Sequence, residues 1–211
     1  MQIPFWEDAY KDDAVSAFGT KPNAAVAEFE PLFQKSWRVL EVGCGEGKNP
    51  LYLASRGFAN IDAFDLSENG IAKLLRAAQR QGLQINAWAQ DLRQFRFEKL
   101  YDLVISYGTL HFVEKPDWQS FLSNAKANTN PGSIHIIQIF TDTLPASPDI
   151  APFAVGLAKE KELEELYTDW EILQFKSYIF EDEHPGAPKH RHASNSIVAR
   201  LIGHLPKSSS K

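Results

Sequence analysis

Apolar residues recur along the chain with two periods, one typical of strands and one typical of helices. Short runs of consecutive apolar residues, as found in buried strands, occupy residues 38–42, 60–66, 85–91, 101–108 and 133–140. Between these runs the apolar residues have helical spacing, most clearly in segment 67–82 with Ile71, Leu74, Leu75 and Ala78. Strands that alternate with helices of this length predict βαβ units and a parallel sheet covered on both faces.

Capping residues mark the ends of three predicted helices. Ser67 is expected to cap the helix in segment 67–82, and Gly82 to end it. Asn49 is expected to cap an earlier helix that ends at Gly57. Asp117 is expected to cap a third helix, whose buried face would hold Trp118, Phe121, Leu122 and Ala125.

The pattern changes after residue 140. A proline-rich connector (141–153) leads to an acidic segment (159–169) with helical character, and two strand-like segments follow at 170–181 and 194–202. Two strands joined by a loop alone should pair antiparallel. The sequence therefore predicts an α/β, Rossmann-like fold with a seven-stranded, mostly parallel sheet, helices on both faces and an antiparallel C-terminal edge.

The expected domain organisation is simple. Residues 1–205 are predicted to form a single domain in which residues 1–35 make an N-terminal helical lid or cover, and residues 206–211 a disordered tail. Apolar residues make up 44% of the 211 residues, as is ordinary for one globular domain.

Charge and cysteine content narrow the function classes. The net charge is −5 and no segment carries a basic stripe, which argues against a nucleic-acid partner. The single cysteine, Cys44, excludes an intrachain disulfide. The acidic N-terminus differs from a signal peptide, and the longest apolar run is too short for a membrane span. We expect a cytoplasmic protein without a membrane partner; its oligomeric state is not predicted.

The first predicted strand runs into a glycine-rich turn, in the stretch RVLEVGCGEGKN. Gly43, Gly45 and Gly47 give the spacing G-x-G-x-G, whereas the dinucleotide fingerprint needs a glycine at position 48, which is Lys48. A phosphate-binding P-loop needs Ser or Thr after Gly-Lys, where Asn49 stands instead. An NAD-dependent oxidoreductase stays an alternative, although the sequence lacks the dinucleotide-binding motif.

Three carboxylates end the first three predicted strands. Glu41 is a poor neighbour for a pyrophosphate and a good one for a cationic ligand, because like charges repel at short range. Asp65 can accept both hydroxyls of a ribose, and Asp91 suits an exocyclic amine. A ligand with an adenosine and a positive centre satisfies all three, which indicates S-adenosylmethionine as the cofactor.

The same motifs carry a family resemblance. The stretches EVGCGEG, DAFDLS and AQDLRQF resemble the nucleotide-binding half of class I methyltransferases. Further stretches, GEGKNPLYLASRGF, APFAVGLAKEKELEELYTDWEILQF and SIVAR, are similar to the tellurite-resistance methyltransferases, relatives of the thiopurine methyltransferases. The resemblance implies an S-adenosylmethionine-dependent methyltransferase that acts on a small molecule such as tellurite, selenite or a thiol. A catalytically silent S-adenosylmethionine-binding interaction protein is a further alternative.

The resemblance also implies site residues. Cofactor contacts are expected at the positions that match the family motifs: Gly43, Gly45, Asp65, Leu66, Asp91 and Leu92. The part from Ser106 to His111 would lie beside the methionine moiety. Tyr107 and His111 are candidate catalytic residues, since an aromatic face stabilises a sulfonium and His111 would serve as base for an oxygen or nitrogen acceptor. Ordinary packing is the alternative for both.

Candidate substrate residues come from the two ends of the chain. Trp6 and Tyr10 belong to an N-terminal segment that either folds over the cofactor as a lid or covers the sheet. Near the C-terminus, His184, His190, Arg191 and His192 crowd together. They could recognise a small anionic substrate, hold a metal ion with Asp182 or Glu183, or form a solvated loop. No metal site is predicted, because the spacing matches no closed zinc motif.

Overall fold

The computed structural model describes residues 4–184 and 187–203, except for the side chains of residues 184 and 187. In this part of the chain the helices are α1 (Phe5–Lys11), α2 (Ala24–Phe29), α3 (Lys48–Ser55), α4 (Glu68–Gln81), α5 (Lys115–Ala127) and α6 (Glu162–Glu165). The strands are β1 (Arg38–Val42), β2 (Asn60–Asp65), β3 (Asn86–Ala89), β4 (Tyr101–Tyr107), β5 (Thr129–Phe140), β6 (Glu171–His184) and β7 (Ala187–Arg200).

The strands form one seven-stranded sheet in the order β3-β2-β1-β4-β5-β7-β6. Strands β1 to β5 are parallel, and β7 runs antiparallel between β5 and β6. The predicted fold class is therefore confirmed. The strand order turns back between β1 and β4, so the carboxyl ends of β1, β2 and β4 meet at one edge, where α/β sheets place their ligands.

Both faces of the sheet are covered by helices. One face packs Val39, Leu103 and Ile105 against α2 and α3, and the other packs Val104 and Ile137 against α5 and the segment around α6. Trp118 of α5 is fully buried in this second layer, and its indole N–H donates to the Gly156 carbonyl at 2.8 Å. Because a buried indole needs a hydrogen-bond acceptor, this bond fixes the long connection after β5 against α5.

Two of the predicted helix starts are wrong. Ser67 caps α4 by accepting the Gly70 N–H, and Gly82 ends it with a positive φ, as predicted. However, α3 begins at Lys48 after Gly47, so that Asn49 lies inside the helix, where its side chain serves a buried carboxyl group. The helix α5 begins at Lys115 after an extended Glu114, which puts Asp117 in the first turn rather than at the cap.

The helix faces are closer to the prediction. All four residues expected on the buried face of α5 are buried. On α4, Ile71, Leu74 and Ala78 are buried, but Leu75 is 40% exposed. The apolar stripe of α4 is therefore narrower than predicted.

The C-terminal part differs most from the prediction. The acidic segment 159–169 holds only the four-residue helix α6, and Thr168 and Asp169 at its end are weak helix formers. The expected loop between the last two strands is instead the end of a long hairpin, in which Phe180 pairs with His192 and Asp182 with His190. The prolines and histidines near the end of this hairpin are not typical of strands, so the apolar pattern did not predict that part of β6 and β7.

Other expectations stay predictions. The predicted tail, residues 206–211, lies outside the described residues, and the single domain over residues 1–205 is untested. Among the described helices, none combines the length and the apolar character needed to cross a bilayer.

Candidate active site

The glycine turn connects β1 to α3 and packs against two neighbouring segments. Gly43 has a φ of +69°, and a Cβ there would lie 1.9 Å from Oγ1 of Thr109 in the turn after β4. Gly47 has a φ of +86°, and a Cβ there would lie 2.2 Å from Cδ1 of Leu74 in α4. These positions require glycine both for backbone conformation and for space, so the turn brings β4 and α4 close to the end of β1.

The backbone N–H groups of this turn are used within the protein. Those of Gly43 and Cys44 donate to the Phe64 carbonyl, at 2.8 and 3.1 Å. The N–H of Gly47 donates to the Cys44 carbonyl at 2.9 Å, and that of Gly45 to Oδ2 of Asp65 at 2.8 Å. A phosphate cradle needs such N–H groups aimed at the ligand. These four groups are not offered to a phosphate.

Asp65, at the end of β2, joins the glycine turn to the start of α4. Its Oδ1 accepts the Ser67 N–H at 2.8 Å, while Oδ2 accepts the Gly45 N–H. Burial raises the pKa of Asp65, against the lowering effect of these hydrogen bonds. A carboxylate has about four lone-pair sites, so Asp65 keeps acceptor capacity for ligand hydroxyls.

Glu41 is buried beneath the turn, with 3% of its surface exposed. Its Oε1 accepts the Asn49 amide N–H at 2.7 Å, and Oε2 has no hydrogen-bond partner among the described residues. Burial raises the pKa of Glu41 to about 8, although Asn49 and Lys48 oppose this. A cation beside Glu41 would return its pKa toward the ordinary range, so this buried group favours a cationic neighbour.

The three remaining predicted cofactor residues near β2 and β3 have different surroundings. Leu66 follows Asp65 and is 73% exposed, which leaves an apolar side chain beside the candidate ribose site. Asp91 is paired with Arg93, whose Nε lies 3.0 Å from Oδ1 and whose Nη2 lies 2.5 Å from Oδ2. Leu92 is buried in the core. To bind an amine of the cofactor, the Asp91 carboxylate would have to accept a further hydrogen bond beside those from Arg93 or lose the Arg93 bonds.

Ser106 and Tyr107 end β4 and point to opposite faces of the sheet. Ser106 is fully buried, and its Oγ has no hydrogen-bond partner among the described residues. The Tyr107 hydroxyl lies 3.4 Å from that of Tyr178. Burial raises the pKa of Tyr107 above its ordinary value, with Tyr178 adding to the effect, so Tyr107 stays protonated.

His111 lies in the turn after β4, in a stack of three rings. Its ring is 4.2 Å from that of Phe140, which in turn is 4.4 Å from that of His192, and both pairs are nearly parallel. Burial lowers the pKa of His111 to about 3, with a smaller contribution from His192. His111 is therefore a neutral imidazole whose Nδ1 accepts the Phe140 N–H at 3.5 Å.

The N-terminal segment covers the glycine turn. The Tyr10 hydroxyl lies directly over Gly45, since a Cβ on Gly45 would be 2.4 Å from it. The Trp6 ring packs 5.2 Å from Phe112 and 6.0 Å from Phe153. The sequence-predicted residues Trp6 and Tyr10 are thus brought next to the turn and to the segment that holds His111, while their role as a lid stays a prediction.

Lys73 of α4 holds this segment in position. It forms a buried ion pair with Glu46 at 2.8 Å and donates to the Ala9 carbonyl at 3.0 Å. The placement of α1 therefore depends on the glycine turn and on α4 together.

His190 and His192 lie on β7, and His184 ends β6, so these histidines belong to strands rather than to a loop. His190 and His192 share one face of the strand, whereas Arg191 is exposed on the other. Arg191 therefore does not join the two histidines, as a shared anion site would require. The side chain of His184 lies outside the described residues.

The carboxylate beside these histidines is one that sequence reasoning missed. Asp149 Oδ2 lies 3.5 Å from His190 Nε2, whereas Asp182 and Glu183 were the expected partners. Asp149 comes from the proline-rich connector, and nothing in the sequence pattern there indicates which element it packs against.

Comparison with known proteins gives consistent matches. A family model described as tellurite resistance protein TehB matches residues 20–191, which is more than half of the chain. A probable S-adenosyl-L-methionine-dependent methyltransferase TehB of Haemophilus influenzae is 32% identical over 146 residues, covering 68% of this chain and 49% of that protein. The chain thus spans about half the length of this curated relative.

Solved structures agree with the sequence matches. The crystal structure of TehB from Haemophilus influenzae has a TM-score of 0.77 at 26% identity, covering 87% of this chain and 64% of that chain. A magnesium protoporphyrin IX methyltransferase of Synechocystis with bound SAM (S-adenosylmethionine) has a TM-score of 0.59 at 19% identity, covering 84% and 75%. The second match shows the fold alone.

The raised pKa of Glu41 predicts how stability changes with pH. The folded chain keeps a proton on Glu41 up to about pH 8, whereas the unfolded chain loses it near the ordinary value of 4.5. The contribution of this group is therefore fully present below about pH 4.5 and falls as the pH rises to about 8, by up to about 1.4 kcal/mol per pH unit. In Glu41→Gln this loss should be absent.

Urea unfolding of the ligand-free protein between pH 5 and 8 measures this difference. The control is Glu68→Gln, which changes an exposed glutamate at the first position of α4 and should keep the wild-type pH dependence. An identical pH dependence in wild type and Glu41→Gln would contradict the assignment.

Proposed function

The chain belongs to the family of the tellurite resistance protein TehB, and on this premise we propose that it is a methyltransferase that uses S-adenosylmethionine. The family resemblance inferred from the sequence is thereby confirmed. The enzyme class and the cofactor agree with the description of the Haemophilus influenzae relative.

One observation carries the proposal beyond the family. Four N–H groups of the glycine turn donate hydrogen bonds to acceptors within the protein, and the acceptor of the Gly45 N–H is a carboxylate. Behind the turn, Glu41 keeps its proton up to about pH 8 in the ligand-free chain, and a cation beside it would favour its ionised form. The four occupied amides give a pyrophosphate no donors, whereas the carboxyl groups of Asp65 and Glu41 favour a cationic adenosyl ligand. An NAD-dependent oxidoreductase is disfavoured on the same ground.

The cofactor is proposed to bind along the carboxyl ends of β1, β2 and β4. Asp65 would accept the ribose hydroxyls with its remaining lone pairs, while Leu66 would pack on the adenosine. Family resemblance implies cofactor contacts at Gly43, Gly45, Asp91 and Leu92, and places Ser106 beside the methionine moiety. Gly47 is included because it completes the G-x-G-x-G turn, and Asp91 because its carboxylate suits an exocyclic amine. Glu41 lies on the β1 side of the turn, where a cationic group of the methionine moiety would be its neighbour.

The N-terminal helix is proposed to cover the bound cofactor. Tyr10 lies over Gly45, and Lys73 anchors the segment to α4 through the Ala9 carbonyl. Excluding water from a sulfonium limits its reaction with competing nucleophiles.

The methyl acceptor is proposed to be a small molecule with a soft lone pair, such as tellurite, selenite or a thiol. His111 is neutral with a low pKa, and Tyr107 stays protonated, so neither predicted catalytic residue is suited to remove a proton at neutral pH. A soft nucleophile needs little help from a base. Catalysis would then come from alignment of the two reactants, with Tyr107 and His111 as uncharged side chains near the carboxyl end of β4.

Methyl transfer from radiolabelled S-adenosylmethionine tests this function directly. With tellurite, selenite and small thiols offered separately, we expect a labelled methylated product and one S-adenosylhomocysteine per transfer with at least one acceptor. Tight cofactor binding without turnover on any of them would indicate the catalytically silent binding protein instead.

Asp65→Ala should weaken the affinity for S-adenosylmethionine at least tenfold, about 1.4 kcal/mol, because it removes the proposed ribose acceptor. Isothermal titration of the folded variant measures this. Glu68→Ala, an exposed change three residues further along, should bind as wild type does. Unchanged affinity in folded Asp65→Ala would show that the ribose assignment is wrong.

A further inference from the structure

We propose that Asp149, His190 and His192 form a binding site for one first-row divalent metal ion, with zinc as the reference ion. This goes beyond the proposed methyltransferase function. The site joins the end of the β6–β7 hairpin to the connector that follows β5.

The distances between the donor atoms fit a single ion. His190 Nε2 lies 3.0 Å from His192 Nε2 and 3.5 Å from Asp149 Oδ2, and one donor atom from each residue lies within 4.8 Å of the others. Zinc binds imidazole nitrogen and carboxylate oxygen at about 2.0–2.2 Å, which in tetrahedral geometry puts two neighbouring donors roughly 3.3–3.6 Å apart. The three side chains therefore need little movement to reach one ion.

The outer hydrogen bonds orient the rings for metal binding. His190 Nδ1 lies 2.7 Å from the Pro188 carbonyl, which can only accept, so this nitrogen carries the proton. In the neutral ring, Nε2 then has a lone pair directed at the cluster. A histidine ligand typically donates its other N–H to such a carbonyl.

His192 is positioned in a similar way. Its Nδ1 lies 3.4 Å from Ser147 Oγ, which can accept the ring N–H and leave Nε2 as the ligand atom. If both rings have this tautomer, two lone pairs face each other at 3.0 Å, and a cation between them removes the repulsion. The alternative is a neutral pair in which His192 Nε2–H donates to His190, and the experiment below separates the two.

The side chains of the cluster are buried, and that of His192 packs against Phe140. The side chains of His190 and Asp149 are 8% and 5% exposed, and His192 is 4% exposed. The Phe140 ring stacks with His192 and also with His111. A carboxylate and two imidazoles withdrawn from water are a favourable ligand set for a divalent cation, which compensates the cost of burial.

The position of the site suggests its use. Phe140 ends β5 and contacts both His111 and His192, so the cluster lies at the same edge of the sheet as the glycine turn. A metal with three protein ligands keeps an open coordination position. An oxyanion or thiolate acceptor could occupy that position; this role rests on the proposed function, whereas metal binding itself does not.

The test is an isothermal calorimetric titration of the chelator-treated full chain with zinc alone. We expect one equivalent bound, and at least tenfold weaker binding in His192→Ala and in Asp149→Asn. Lys189→Ala is the matched control, because Lys189 is exposed on the same strand and should leave zinc affinity unchanged. Cobalt(II) absorption gives a second readout, since the visible d–d bands of a four-coordinate ion should appear in wild type and be lost in His192→Ala.

Two results would overturn the metal site. One is a folded wild-type chain that binds no equivalent of zinc, which would favour the neutral histidine pair. The other is zinc binding that survives both His192→Ala and Asp149→Asn. Binding of S-adenosylmethionine, measured in the same preparations, separates the two proposals: zinc binding without cofactor binding would contradict the methyltransferase function and leave the metal site standing.

Discussion

The hydrogen bond from the Gly45 N–H to the Asp65 carboxylate is the interaction on which the candidate site depends. It joins the turn after β1 to the turn after β2, and the same carboxylate also accepts the N–H at the start of α4. This bond holds the glycine turn against the start of α4. Lys73 of α4 in turn holds the N-terminal segment against both. Without this carboxylate, the Gly45 N–H would be free to serve an anion.

The electrostatic character of the site follows from that constraint. The turn has the shape of a nucleotide-binding loop, but four of its amides donate to protein acceptors, and one of these acceptors is the Asp65 carboxylate. Farther along the sheet edge, burial keeps His111 neutral and Tyr107 protonated. In the proposed site the cofactor would bind beside the carboxyl groups of Asp65 and Glu41, and the methyl acceptor beside uncharged, aromatic side chains. This division would suit transfer of a methyl group from a sulfonium to a soft nucleophile.

Much of the fold could be predicted from the sequence because local patterns and tertiary contacts agree over residues 38–140. Ser67 and Gly82 mark α4 from both ends, and the apolar runs coincide with the strands. The prediction failed where a contact with another element determines the local structure. Asn49 looks like a helix cap, yet its amide is drawn to Glu41 from the adjacent strand. The histidine hairpin and Asp149 come together only through the packing of β7 on the connector, which no local periodicity indicates.

We propose that the glycine turn, with Glu41 and Asp65, binds a cationic adenosyl ligand and not a pyrophosphate. The most direct measurement is a thermal shift with S-adenosylmethionine, S-adenosylhomocysteine and NAD in parallel, since a ligand that binds only the folded state raises its stability. We expect both adenosyl compounds to raise the melting temperature and NAD to leave it unchanged. Stabilisation by NAD, with no effect of the adenosyl compounds, would contradict this proposal.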